Sequence, residues 1–259
     1  MGKTSTVRAN PLAAAHRGYV YQDLLTAYLL VQGLISGFDQ IVVDKKVVED
    51  DRFDDVETRI SGRRLRRQIK SSANPGRCLA FSDFNDAAST LRFDRLVQTF
   101  IDEAPSQANE YRLCATWEFP KPGDPLVNLL EPADVPGTLI DFETMLMRFD
   151  APKLWTGDGS LIFPNARPAL AAGGGLCQAD VLSFCERFAI EIELPQASLD
   201  LEAPGPLERL LLSALDTGIG IGRYPNDARR VEDVAALAIY VAMTGRTAGE
   251  TLTKDLSVN

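Results

Sequence analysis

The chain contains a dense acidic run and, about a dozen residues later, a basic run that ends in an amide and a lysine. Residues 49–57 read EDDRFDDVE and residues 64–71 read RLRRQIKS, with a serine and a glycine at positions 61–62. Hydrophobic residues interrupt both runs, and the Ser-Gly pair is typical of a tight turn. The pattern therefore predicts a β-hairpin whose two strands are residues 53–60 and 64–70.

Strand alternation places the polar side chains of this hairpin on one face. Asp55 and Glu57 are two residues apart, and so are Gln68 and Lys70 on the next strand. Carboxylate and carbonyl oxygens are the hard ligands that Mg²⁺ prefers, and a bound metal acidifies water and stabilises charge on phosphate oxygens. An ammonium such as that of Lys70 stabilises the same charge. The spacing is therefore compatible with a divalent metal site beside a scissile phosphate.

A plainer interpretation is a surface hairpin held by ion pairs. Acids opposite Arg and Lys are common in sheets, and such pairs contribute tenths of a kcal/mol to about 1 kcal/mol. The net charge of −9 argues against indiscriminate nucleic-acid binding over the whole surface. Residues 59–70 nevertheless carry six basic side chains, so a local positive groove for phosphate remains compatible with the sequence. Both interpretations stay open on spacing alone.

Composition predicts an ordinary globular protein. The chain has 259 residues, of which 45% are hydrophobic and 24% charged, so it is long enough to bury a substantial core. No apolar run approaches the roughly 18 to 20 residues that span a bilayer, and the N-terminus lacks the apolar segment of a secretory signal. The four cysteines, Cys78, Cys114, Cys177 and Cys185, form no CxxC pair. We expect reduced thiols, no membrane association and a cytoplasmic location.

The order of predicted elements indicates an α/β protein with a mixed central sheet flanked by helices. Residues 120–136 are proline-rich and predicted to lack regular structure, and the part beyond them is predicted to be mainly helical. The predicted helices are residues 16–35, 82–102, 139–149, 179–188, 207–215 and 231–245, and the further predicted strands are residues 40–48, 111–117 and 189–194.

The motifs, taken together, resemble a known family. An acid, a hydrophobic residue, about a dozen residues and then Gln68-Ile69-Lys70 resemble the PD-(D/E)xK nuclease superfamily in its QxK form. Residues 17–22, RGYVYQ, add a Gly-aromatic-x-aromatic-Gln helix start. This combination resembles the double-stranded-DNA nuclease domain of bacterial anti-phage effectors, including nuclease–SAVED effectors and Avs-type STAND NTPases. The resemblance covers residues 12–120 and implies a restriction-endonuclease-like core there, with residues 121–259 as a mainly helical C-terminal subdomain.

The resemblance also implies roles for individual residues. Asp55 corresponds to the principal metal ligand, Gln68 to the second ligand and Lys70 to the catalytic lysine. Gln22 stands where many members keep a supporting Glu, so amides replace acids at two positions. Asp55 is preferred to Asp54 as the main ligand because Val56 follows it, but the choice stays open. The expected supporting residues are Gln22, Glu49, Asp54 and Glu57, and the expected DNA-binding residues are Arg17, Arg63, Arg64, Arg66, Arg67 and Ser71.

The function implied by the resemblance is hydrolysis of double-stranded DNA in phage defence, with Mg²⁺ or alternatively Mn²⁺ as the metal. Such an effector needs regulation, so the expected partners are further copies of the chain and a downstream sensor domain or regulatory protein. One rival is a catalytically silent nuclease-like module that binds DNA or assembles. Another rival is a small-molecule enzyme using residues 218–222, GIGIG, which we interpret as a turn because no strand precedes them and no acid follows at the required distance.

Overall fold

The fold comes from a computed structural model and is a mixed α/β arrangement, a central sheet with helices on both faces. None of the helices in the described part of the chain is both long and apolar enough to cross a membrane. The structure describes residues 11–72, 74, 76–104, 109–133, 144–157, 159–164, 177–198, 203–216, 236 and 252–253, with side chains from residue 17 to residue 236.

The first helix, α1, spans Pro11–Ser36 and is buried on all sides over residues 24–29. It ends at Gly37, whose φ of 78° lies in the left-handed region that favours glycine. The Gly37 amide donates to the Gly33 carbonyl at 2.8 Å, and the Phe38 ring packs so closely on Gly33 that a Cβ there would lie 2.5 Å from Phe38 Cδ1. The predicted helix 16–35 is confirmed, with an earlier start.

The predicted hairpin is present. Strands β2 (Val56–Ile60) and β3 (Arg63–Lys70) pair antiparallel, and Ser61 and Gly62 both have positive φ, as a two-residue type I′ turn requires. Strand β1 (Gln40–Val43) pairs antiparallel with β2. The predicted strands 40–48 and 53–60 are therefore too long, because residues 44–55 form a loop between them.

The connection from β3 to its parallel neighbour β4 (Asn109–Ala115) carries two helices. They are α2 (Phe81–Asn85) and α3 (Phe93–Glu103), so the predicted continuous helix 82–102 is interrupted. The interruption begins at Asp86, whose carboxylate accepts from the Ala88 amide at 2.9 Å and thereby offers the backbone a turn instead of a helix.

The sheet continues beyond residue 120. Strands β5 (Leu130–Pro132), β6 (Met145–Phe149) and β7 (Phe188–Ile192) extend it, and a two-residue strand β8 (Leu252–Thr253) pairs with β1. The order within the described residues is β5-β6-β7-β4-β3-β2-β1-β8. The subdomain division at residue 120 stays a prediction, but the strands on both sides of it belong to one sheet.

The helical prediction for residues 139–149 is wrong for residues 145–149, which the structure describes. Residues 145–149 form β6, which pairs antiparallel with both β5 and β7, and residues 139–143 lie outside the description. The later predictions for a helix, a strand and a helix are confirmed within two residues by α4 (Gln178–Arg187), β7 and α5 (Pro206–Ala214). Of the predicted helix 231–245, only residue 236 is described, and it is helical.

Two apolar clusters pack on the sheet. One joins α1 and α5 to Val56 and Ile69 of the hairpin, and the other joins α3 and α4 to Tyr111 and Leu113 of β4. Because side chains alternate along a strand, β3 sends Leu65, Arg67 and Ile69 toward one side of the sheet. The residues that alternate with these, Arg64, Arg66, Gln68 and Lys70, project toward the α3 side.

Candidate active site beside Asp55

The Asp55 carboxylate lies where β2 begins and contacts the end of β3. Its Oδ2 atom accepts a hydrogen bond from the Ile69 amide at 2.6 Å, and the Gln68 side-chain amide donates to the same oxygen. Asp55 and Lys70 also interact electrostatically. The structure therefore brings together the three residues that the sequence predicts as catalytic, Asp55, Gln68 and Lys70.

Burial dominates the electrostatics of this cluster. It raises the pKa of Asp55 from 3.8 to about 6, while the Ile69 amide, Lys70 and Gln68 act in the opposite direction. Burial also lowers the pKa of Lys70, although the negative charges of Asp55 and Asp54 partly oppose this. Both ionised groups are therefore held in a partly desolvated site, where a further charge would interact strongly with them.

Helix α1 contacts the site through Asp44, a residue that was not predicted from the sequence. Gln22 Nε2 donates to Asp44 Oδ1 at 2.9 Å, and the Asp44 amide donates to the Asp55 carbonyl at 3.0 Å. Asp44 has a φ of 50° and follows β1 directly. The available signal was an acid placed immediately after the hydrophobic Val42-Val43 pair.

The other predicted supporting residues differ in position. Asp54 raises the pKa of Asp55 through its charge and is partly buried, whereas Glu49 is exposed. Glu57 is drawn away from the site, because its carboxylate pairs with Arg64 at 2.6 Å and with Arg59 at 3.1 Å. Burial acts to raise the pKa of Glu57, but these arginines outweigh it and hold the pKa below its ordinary value. The metal-supporting role predicted for Glu57 is therefore corrected to an ion-pair role.

The arginines of β3 also correct the sequence prediction. Arg66 is fully buried and pairs with Asp51 and with Glu103, the latter at 2.6 Å. Arg67, also fully buried, donates to the Thr58 hydroxyl at 2.8 Å. Neither side chain can contact DNA from these positions.

The remaining predicted DNA-binding residues lie nearer the surface. Arg64 is mostly buried and pairs with Glu57 and Glu103, while Arg63 is half-exposed and pairs with Glu110. Arg17 is exposed and Ser71 is partly buried. Arg52 is not among the predicted DNA-binding residues. Its charge contributes to lowering the pKa of Lys70, and its side chain pairs with Asp50 at 2.6 Å.

The donor set available for a metal is small. Among the described residues, no group of three or more His, Cys, Asp or Glu side chains is arranged to hold a metal ion. Asp55 offers a carboxylate, and Gln68 would present its carbonyl oxygen if its amide turned over. A cation at this position would favour the ionised form of a carboxylate that burial disfavours. The residues therefore fit a site with one carboxylate and one amide, which binds a divalent cation less tightly than two acids would.

Comparisons with known proteins do not identify a family for this chain. No protein-family model matches the chain, and no curated protein is significantly similar to it. The glycine-rich residues 218–222, on which the small-molecule enzyme hypothesis rests, lie outside the described residues.

Proposed function

We propose that this chain is a metal-dependent endonuclease that hydrolyses double-stranded DNA, with Asp55, Gln68 and Lys70 at its active centre. The observation that carries the proposal is the contact of the Asp55 carboxylate with the Gln68 amide, close enough to Lys70 for their charges to interact. Residues about a dozen positions apart in the sequence thus converge in the order and spacing of a QxK nuclease motif.

Each residue has a defined task in this proposal. Asp55 and the turned amide of Gln68 hold Mg²⁺ or Mn²⁺, which when bound supplies an acidified water and neutralises charge on the phosphate. Lys70 stabilises negative charge that develops on the phosphate oxygens, and its burial strengthens that interaction because water screens it less. Gln22 holds Asp44 and so keeps α1 against the loop that carries Asp55.

The fold supports a restriction-endonuclease-like core. An N-terminal helix precedes three antiparallel strands, and two helices lead to a strand parallel to β3. The double-stranded substrate and the role in phage defence rest on the resemblance of residues 17–22 and 55–70. We propose Arg17, Arg52 and Arg63 as phosphate contacts, together with self-association, a regulatory domain or partner, and a cytoplasmic location.

Cleavage of supercoiled and linear plasmid DNA, with Mg²⁺, Mn²⁺ or EDTA, tests the proposal. Wild-type protein is expected to nick or linearise DNA only with metal, and Lys70→Ala to be slower by about 10²-fold or more, because a preorganised charge is lost. Lys153→Ala is a matched control, since this lysine is 57% exposed and its ion-pair partner among the described residues is Asp150, three residues earlier. Equal cleavage by wild type and Lys70→Ala would contradict the proposal.

A second candidate is a silent nuclease-like module that binds DNA or assembles. It is favoured by the amides at positions 22 and 68 and by the small donor set within the described residues. It predicts that wild type and Lys70→Ala shift a DNA duplex equally in a gel and that neither cuts it. Metal-dependent cleavage by wild type alone would eliminate this candidate.

A further inference from the structure

Asp51 links the two halves of the loop between β1 and β2 by hydrogen bonds. Its side chain is buried, and each carboxylate oxygen accepts a backbone amide from a different side of the loop. Oδ2 accepts from the Val47 amide at 2.8 Å, and Oδ1 accepts from the Phe53 amide at 2.9 Å. A single carboxylate thus fixes the two arms of the loop relative to each other.

The same carboxylate connects the loop to the body of the protein. Arg66 donates to Asp51 Oδ2 through Nη2 and to Glu103 through Nη1, the latter at 2.6 Å. Glu103 is the last residue of α3, and it also accepts from the Tyr111 hydroxyl at 2.8 Å. Buried, charge-assisted hydrogen bonds of this kind are stronger than neutral ones and restrict geometry.

Two further contacts hold the loop on either side of Asp51. The Thr99 hydroxyl of α3 donates to the Asp50 carbonyl at 3.1 Å. The buried Phe53 ring packs on Tyr111 with 5.0 Å between ring centroids, and on Phe188 with 5.9 Å. Residues 50–53 are therefore fixed from three directions, and Asp54 and Asp55 follow them directly.

We infer that Asp51 is a positioning residue, which sets the location of Asp55 through the backbone of residues 51–55 and touches neither metal nor substrate itself. The inference rests on the proposed function. Its physical basis is that a catalytic group displaced by about 1 Å can cost up to about 10²-fold in rate. Asp51 is not among the metal ligands predicted from the sequence, and its buried carboxylate accepts hydrogen bonds from the Val47 and Phe53 amides and from Arg66.

Asp51→Asn removes the charge that pairs with Arg66 but keeps the size of the side chain and an oxygen that can accept a backbone amide. The buried network keeps two carboxylates, Glu57 and Glu103, beside two guanidinium groups, Arg64 and Arg66, so the variant is expected to fold. The control is Asp50→Asn, the same change one residue earlier, where the carboxylate is 53% exposed and its ion pairs with Arg52 and Arg95 are at the surface.

The experiment measures single-turnover plasmid cleavage against Mg²⁺ concentration, with amide hydrogen exchange of residues 47–55. Asp51→Asn is expected to cut about 10-fold more slowly at saturating Mg²⁺, to need several-fold more Mg²⁺ for half-saturation, and to bind DNA unchanged. The Val47 and Phe53 amides should exchange faster, while those of β4 do not. If Asp51→Asn proves unstable, Asp51→Glu keeps the charge but lengthens the side chain, and is expected to show the same slowing.

The outcomes separate this inference from the proposed function. Active wild type with Asp51→Asn equal to Asp50→Asn in rate and Mg²⁺ dependence would overturn the positioning role and leave the nuclease proposal standing. Inactive wild type would overturn both. A general loss of protection over β3 and β4, with no specific change at residues 47–55, would also overturn the positioning role, because it would show that Asp51 only stabilises the fold.

Discussion

Arg66 and Arg67 are neighbours on β3 and are equally buried, but they project to opposite faces of the sheet and meet opposite surroundings. Burial lowers the pKa of both. For Arg66 the hydrogen bonds and charges of Asp51 and Glu103 outweigh it, and the pKa is raised. For Arg67, which donates to the neutral Thr58 hydroxyl, burial prevails and the pKa falls to about 10.

The two faces of β3 therefore use the same side chain in different ways. On the α3 face, Arg66 compensates acids that would otherwise be buried alone. On the α1 face, Nε and Nη2 of Arg67 have no acceptor within the described residues, and the nearby Glu191 pairs with Arg112 at 3.4 Å. Arg66 and Arg67 are thus equally buried, but the fold needs only the charge of Arg66, which balances buried acids. The same substitution at the two positions should therefore change the free energy of unfolding by different amounts.

Replacing Arg66 by Met should have the largest effect. It leaves the buried carboxylates of Asp51, Glu57 and Glu103 with Arg64 as the principal remaining cation of the network, and removal of one partner from a buried ionic network costs about 3–5 kcal/mol. We expect the urea midpoint to fall accordingly, with an unchanged slope. A loss below about 1 kcal/mol would show that the network does not stabilise the fold.

Asp55→Asn extends the comparison to a carboxylate. For Asp55, as for Arg67, the effect of burial on the pKa is larger than the opposing effect of its partners. The pKa of Asp55 is raised from 3.8 to about 6, so folding favours the protonated form. Its stabilising contribution is complete below about pH 4 and is lost as pH rises to about 6, which costs at most about 3 kcal/mol above pH 7. Without metal, Asp55→Asn should therefore be about 2–3 kcal/mol more stable than wild type at pH 8 and nearly equal at pH 4.

Chemical denaturation at the two pH values, with and without Mg²⁺, measures this difference. Saturating Mg²⁺ should stabilise wild type and leave Asp55→Asn unchanged, because only the ionised carboxylate gains from the cation. A difference between the two proteins that is the same at pH 4 and pH 8 would exclude a raised pKa for Asp55.

The sequence predicted what depends on local spacing. The Ser61-Gly62 turn and strand alternation place Asp55 opposite Gln68. Residues 145–149, MLMRF, lie in the predicted helix 139–149, and a short apolar run such as theirs fits a buried strand as well as a helix. Their strand conformation depends on pairing with β5 and β7, which are distant in sequence.

The roles of the arginines could not be predicted, because their partners come from other elements. Arg66 is close to Asp51 in sequence, but its partner Glu103 lies at the end of α3. Whether an arginine faces solvent or a buried acid depends on which helix covers that face of the sheet. Both Arg66 and Arg67 are predicted from the sequence to bind DNA, because alternation along β3 does not show that both faces of the sheet are covered.

Thr58→Val should have a moderate effect, confined to the α1 face. Valine has nearly the same shape as threonine but cannot accept the 2.8 Å hydrogen bond from Arg67. A buried donor that loses its acceptor costs about 1–2 kcal/mol, somewhat more when charged. Urea denaturation should register this loss in the wild-type background, and no loss at all would show that the guanidinium group finds another acceptor.

Arg67→Met should change the free energy of unfolding least. Where Arg66→Met lowers it, Arg67→Met should leave it unchanged or raise it. The substitution removes a buried charge and two donors that lack acceptors, leaves Arg112 paired with Glu191, and keeps most of the apolar volume. We expect a free energy of unfolding within about 1 kcal/mol of wild type, or higher. In this background Thr58→Val should no longer destabilise, because the hydrogen bond it removes is already absent. A loss by Arg67→Met as large as that of Arg66→Met would mean that Arg67 stabilises acids on its own face, and the two faces of β3 would then be equivalent.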